Sequence, residues 1–144
     1  QNNVLFTANI DQLISNSPLC LSGDTPVQEA AVQMAQSNQT AVIVQDESQS
    51  LIGIVTDQDF RDRVVAKGLP YSTPIRHIMT ESPGTVNHNQ LVFEAMMLML
   101  RHNTQHLPVM KNGEVIGVVS QSDLVKYQSR NSLFLVNSIF NYPL

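Results

Sequence analysis

The chain states one pattern twice. Placing Ser17–Val44 over Ser82–Val109 aligns Ser17-Pro18 with Ser82-Pro83, Val27 with Val92, Glu29-Ala30 with Glu94-Ala95, Met34 with Met99 and Asn38 with Asn103, all at a spacing of 65. Downstream, Leu51–Phe60 lies over Val115–Leu124 at a spacing of 64, so the one lost residue falls in the turn between two strands. A loop is where a repeat best tolerates such a change. A single unit of about sixty residues would be marginal, because its sheet exposes an apolar face that only another layer can cover. Two copies can cover each other.

The copies also make the local structure legible. Each unit reads as a helical turn, a brief strand, a helix, two strands joined by a turn and a final helix. The opening turns are Asn9–Ile14 and Ser72–Met79; in the second, Thr73 caps and Pro74 takes the first helical position. Helices follow from Pro26 to Asn38, with Val27, Ala30, Ala31 and Met34 at helical spacing, and from Leu91 to Arg101, with Val92, Ala95, Met96 and Met99. The strands Thr40–Gln45 and Leu51–Thr56 flank one turn, and His106–Lys111 and Glu114–Ser120 flank Asn112-Gly113, a strong hairpin signal. Final helices start at Thr56 and Ser120, the first stopping at Gly68. The fold expected is α+β: two β-α-β-β-α units related by a pseudo-twofold axis, with clefts where their sheets and final helices meet. Residues 1–8 read as a linker, 9–68 and 69–128 as the two units, and 129–144 as a C-terminal connector.

Composition narrows the function classes. With 42% apolar residues, 14% charged residues and a net charge of −4, the chain is ordinary for a globular protein and offers no basic footprint for nucleic acid. Cys20 is the single cysteine, so neither an intramolecular disulfide nor a thiolate metal cluster can form, and a reducing compartment is expected. The apolar stretch Leu91–Leu100 is interrupted by Glu94 and is about half a membrane span. Residues Gln1–Gln12 lack the charged flank and apolar core of a secretion signal. These features predict a cytoplasmic chain with no nucleic-acid or membrane partner, and its abrupt start suggests a piece of something longer.

The residues that carry chemistry cluster at the ends of the hairpins. In Gly53–Asp59, "GIVTDQD", Thr56 can cap the following helix while the Asp59 carboxylate reaches back to the Thr56 amide. A helix start after a strand is also an anion site, its free amides and positive dipole end favouring phosphate. Ser120 and Asp123 repeat the pair. Arg61, Arg63 and Arg76 could bring positive charge near the first cleft, Arg61 foremost, although "FRDRVVAKG" reads as a solvated face with intrahelical pairs. His77, His88 and His102 form no recognisable metal set with the carboxylates, Met96, Met97 and Met99 read as core and interface filler, and Cys20 has no adjacent base. No catalytic residue and no metal ligand is expected.

Over residues 8–128 this order resembles a tandem pair of CBS domains, the module named after cystathionine β-synthase. The resemblance rests on "HLPVMKNGEVIGVVSQSDL" and "AVIVQDESQSLIGIVTDQDF", on the Ser-Pro strand, the Glu-Ala helix and the duplicated G-x-x-[ST]-x-x-D. It implies a regulatory module, not an enzyme, that takes an adenosine-containing ligand between its halves: AMP, ADP, ATP or S-adenosylmethionine, none of them an obligatory cofactor. Asp59 or Asp123 would hold the two ribose hydroxyls, since a carboxylate offers paired acceptors, and Thr56 or Ser120 would meet phosphate. In the first cleft the resemblance brings Ile54, Thr56 and Asp59 together with Gly84, Thr85 and His106, the last at a place where the γ subunit of AMP-activated kinase often presents a basic side chain. In the second it brings Val118, Ser120 and Asp123 together with Leu19, Cys20, Thr40 and Ala41. Because Ala41 stands at the basic position, the first cleft is the expected site. Gly53 and Gly117 would allow close backbone approach.

CBS pairs commonly form disc-like dimers, so a homodimer is implied. The tail "LVKYQSRNSLFLVNSIFNYPL", with its apolar segment Leu133–Phe140, resembles the connector in bacterial multidomain proteins that join a CBS pair to a nucleotidyltransferase-type domain. An effector domain outside this sequence is therefore expected. The alternative reading is a structural dimerisation module that has lost its ligand.

Overall fold

A computed structural model of the chain describes residues 4–14 and 16–131; the apolar segment Leu133–Phe140 and most of the expected connector lie outside them. The first half holds α1 (Val4–Thr7), a 3-10 turn (Ile10–Leu13), β1 (Cys20–Ser22), α2 (Val27–Ser37), β2 (Ala41–Gln45), β3 (Leu51–Thr56) and α3 (Asp57–Asp59), which continues as a π-helix over Phe60–Val65. The second holds a 3-10 turn (Ile75–His77), β4 (Thr80–Glu81), β5 (Val86–Asn87), α4 (Val92–His102), β6 (His106–Lys111), β7 (Glu114–Ser120) and α5 (Gln121–Asn131). The fold is α+β with the repeated β-α-β-β-α order.

The repeat holds down to backbone details. Both hairpins break register at matching places, between Val44 and Gln45 and between Val109 and Met110. Helices α2 and α4 end on left-handed asparagines, Asn38 (φ 54°) and Asn103 (φ 49°). The next amides, of Gln39 and Thr104, donate to the Met34 and Met99 carbonyls at 3.0 Å. Asparagine tolerates that conformation better than most residues, which explains its presence in both copies. The Asn112-Gly113 turn has φ of 52° and 80°, the left-handed pair that a two-residue hairpin needs.

The opening turns are exchanged between the units. Strands order as β1-β2-β3-β4 in one sheet and β5-β6-β7 in the other, so β4, which follows the second turn, joins the first unit's sheet. Pro74 bridges to Pro26, and Asn9 to Leu91, the same contact under the repeat. Ile75 and Ile78, both 0% exposed, pack with Val27, Ala30 and Val42 of the first unit; Ala8 and Ile10 pack with Val92, Ala95 and Leu107 of the second. The segment 1–8, expected to be a linker, therefore carries a helical turn and a buried residue, and Phe6 stacks on Phe93 of α4 with ring centres 4.9 Å apart.

This exchange explains two glycines that the sequence left for a ligand. A Cβ on Gly53 would stand 2.5 Å from Met79 Sδ and 3.0 Å from the Thr80 carbonyl, and one on Gly117 would stand 2.7 Å from Ile14 Cγ2. The close approach they permit is that of the exchanged turns. Gly53→Ala is therefore expected to cost about 1–3 kcal/mol by overpacking, visible as a lower midpoint in denaturant at unchanged slope.

Between the two unit cores lies a third cluster, in which Ala41, Ile43 and Ile54 of the first sheet meet Val115 and Val118 of the second. Residues Ala41–Val44 are buried in succession, as befits a strand covered on both faces. Among the described residues no helix is long and apolar enough to cross a membrane.

Candidate functional site

The seam between the sheets opens into two clefts of unequal size. The first, about 1020 Å³, is bounded by the end of β3, the segment after β4, the C-terminal end of α4 and the inner face of α5. Ile54, Thr56, Asp59, Gly84 and His106 line it. The second, about 160 Å³, is lined by Thr40, Ala41, Val118, Ser120 and Asp123, with His106 again at its wall. Ligand sites commonly occupy roughly 300–1,000 Å³, so only the first has room for a nucleotide-sized molecule.

Asp59 is both cap and cleft wall. Its Oδ2 accepts from the Thr56 amide at 2.9 Å and from the Thr56 hydroxyl at 3.4 Å, while Oδ1 lies 3.5 Å from Arg63 Nε. The side chain is only 13% exposed. Burial raises its pKa above the ordinary carboxylate value, against the opposing pull of the Thr56 amide and the Arg63 guanidinium. An ionised carboxylate has roughly four acceptor positions, so this one retains capacity, and donors from a ligand would relieve the cost of its burial. In the second cleft the capping box is complete: the Ser120 amide donates to Asp123 Oδ2 at 2.8 Å and the Asp123 amide to Ser120 Oγ at 3.0 Å.

His106 stands between the clefts, its Nε2 2.9 Å from Thr40 Oγ1. Burial holds the imidazole below its ordinary pKa despite the nearby carboxylates of Asp57, Asp123 and Asp59. It is therefore neutral at pH 7 and would approach phosphate as a hydrogen-bonding ring, with its charge drawn out by the ligand. Because the unfolded chain binds this proton more tightly than the folded one, stability contributed by His106 is lost as pH falls through about 6.5. The difference in melting temperature between pH 7.5 and pH 5.5 is expected to shrink in His106→Gln.

Four predicted site residues lie elsewhere, among them Leu19, which lines neither cleft. Arg61 is 71% exposed and pairs with Asp62 at 2.7 Å, outside the wall of either cleft; Arg63, one helical turn beyond Asp59, pairs with that carboxylate at 3.5 Å but also lines neither cleft, and it donates to the Ile78 and Met79 carbonyls at 3.4 Å. Cys20 packs with the cluster between the sheets, where burial pushes its thiol pKa up. Thr85 lines neither cleft. Conversely, the sequence reading passed over Gln58, His102 and Gln128, all in the first wall, and Gln39 in the second. His102 packs directly on the Gly84 backbone, where a Cβ would collide with its ring. The repeat held the signal: Leu19 and Ser37 stand where the second unit has Gly84 and His102.

Comparison with known proteins agrees with this architecture. The sequence pattern described as "CBS domain" matches residues 10–66 and 75–130. The protein YlbB of Bacillus subtilis is 38% identical over 106 residues, covering 73% of this chain and 72% of that protein. CBSCBSPB2 of Arabidopsis thaliana is 38% identical over 111 residues, 76% of this chain but 21% of the relative, so the chain spans about a fifth of that protein and of its relative CBSCBSPB3. Among solved structures, a CBS domain protein of Pyrobaculum aerophilum complexed with AMP superposes with a TM-score of 0.74 at 26% identity, covering 85% of this chain and 98% of that one. With both repeats matched and the fold shared, the chain belongs to the CBS domain family as a tandem pair.

Proposed function

We propose that the chain is a regulatory module that binds an adenine nucleotide in the first cleft and thereby controls an attached effector domain. The observation that carries this reading is the cleft of about 1020 Å³ in which Asp59, 13% exposed, lies beside the Thr56 helix start and His106. Asp59 would accept the two ribose hydroxyls, and the Thr56 hydroxyl, with His106, would face phosphate. The AMP complex of the Pyrobaculum relative supports the ligand class. Control would work by population shift, a ligand biasing the effector only by its preference for one arrangement of the halves. We further infer a homodimeric, cytoplasmic and non-catalytic module.

A thermal-shift screen with AMP, ADP, ATP and S-adenosylmethionine tests this. At a hundred times its dissociation constant a bound ligand stabilises by about 2.7 kcal/mol, which is roughly 5–10 °C for a chain of this size. No shift with any of the four would favour the alternative, a dimerisation module without a ligand.

A further inference from the structure

One difference between the two clefts lies at residue 39. Gln39 Nε2 donates to the Ser17 carbonyl at 3.1 Å, and Gln39 Oε1 accepts from the Leu19 amide at 3.3 Å. The carboxamide thus lies across the mouth segment of the second cleft and takes up one acceptor and one donor of its backbone. At the repeat position in the first cleft stands Thr104. Its hydroxyl turns the other way, donating to the His106 carbonyl at 3.0 Å and accepting from the His106 amide at 3.2 Å. Among the described residues no side chain bridges the matching pair, the Ser82 carbonyl and the Gly84 amide.

We propose that Gln39 is a built-in occupant of the second cleft, a self-ligand whose amide group satisfies the backbone pair that a bound base would otherwise use, so that the chain takes one nucleotide, in the first cleft. A primary amide presents an N–H donor beside an acceptor oxygen, and the edge of an aminopurine presents an N–H donor beside an acceptor nitrogen. The two compete for the same backbone partners. An intramolecular group also competes without the loss of translational and rotational freedom that a free ligand undergoes on binding. The sixfold smaller second cleft, about 160 against 1020 Å³, is the expected outcome. Gln39 thereby sets the stoichiometry of the pair, and this inference rests on the nucleotide reading of the first cleft.

The test is AMP titration by calorimetry of the wild type, Gln39→Thr, which copies Thr104, and Gln39→Glu, which keeps the size but replaces the donor with a second acceptor. Hydrogen exchange of the Leu19 amide is followed in the same proteins. The expected result is one AMP per wild-type chain, abolished by Asp59→Ala, and two per Gln39→Thr chain, the second abolished by Asp123→Ala. Leu19 exchange should rise about tenfold in Gln39→Thr, as the loss of one hydrogen bond implies, and stay protected in Gln39→Glu, whose carboxylate still accepts from that amide while losing the donor to the Ser17 carbonyl. Two AMP per wild-type chain, or one per Gln39→Thr chain with Leu19 exchanging fast, would overturn the proposal. If AMP binds to none of the proteins, the nucleotide reading fails for AMP, and Leu19 then decides the self-ligand alone: unchanged protection in Gln39→Thr refutes it.

Discussion

Asp59→Ala is expected to weaken AMP binding about 100-fold while Asp123→Ala changes it by less than about threefold. A carboxylate accepting two hydroxyls makes charge-assisted hydrogen bonds, each contributing roughly 1.5–3 kcal/mol when the partner is held in place. Removing both exceeds the 2.7 kcal/mol that a hundredfold change represents, even after water replaces part of the loss. The asymmetry is the informative part, because Asp59 and Asp123 occupy matching positions and make the same bond to their caps, at 2.9 and 2.8 Å. Only the first faces a roomy cleft. Stability should separate from binding. Burial raises the Asp59 pKa, so its ionised form is disfavoured in the folded chain above the unfolded value, and its charge withdraws stability at neutral pH. Asp59→Asn keeps an acceptor for the Thr56 amide without that charge. It is expected to unfold within about 1 kcal/mol of the wild type while losing at least tenfold in AMP affinity. Equal losses of stability and binding would reduce Asp59 to a cap.

Ile75→Ala is expected to lower stability by about 3 kcal/mol, in the usual range for truncating a fully buried aliphatic chain, and the melting temperature by roughly 10 °C. The residue sits in a three-residue turn, where such a cost is unusual. It arises because Ile75 is 0% exposed and packs in the core of the first unit, beside Val27, Val42 and Val55. Hydrogen exchange gives the location as well as the size. The amides of β2 should lose protection in Ile75→Ala, and those of β6 in Ile10→Ala, the matching change in the other turn. Protection lost in β6 for Ile75→Ala would place the turn in the wrong core.

The sequence made the repeat legible because a spacing of 65 imposes the same apolar positions on α2 and α4 and the same hairpins on both sheets. The partner of each opening turn was not legible. A pattern such as "STPIRHIM" shows that an element exists and which face is apolar, and either neighbouring core could bury it; the choice is made by contacts far apart in sequence, Pro74 with Pro26 and Asn9 with Leu91. Helix α3 illustrates another limit. Its capping pattern is local and legible, and the pair of Asp59 with Arg63, four residues on, is one that regular helical pitch gives, whereas the π-helix over Phe60–Val65 carries no such local signal. Gln39 escaped notice for a related reason. A glutamine after a helix reads as a solvated side chain until the backbone it can reach is known. The departure from Thr104 at the matching position was nonetheless visible in the alignment of the two halves.

A crystal structure of the chain grown or soaked with AMP tests the central claim most directly. Difference density is predicted in the first cleft alone, with both ribose hydroxyls within hydrogen-bonding distance of the Asp59 carboxylate and the phosphate at the Thr56 helix start. Nucleotide density at the second cleft with none at Asp59, or a ribose that turns away from that carboxylate, would contradict it.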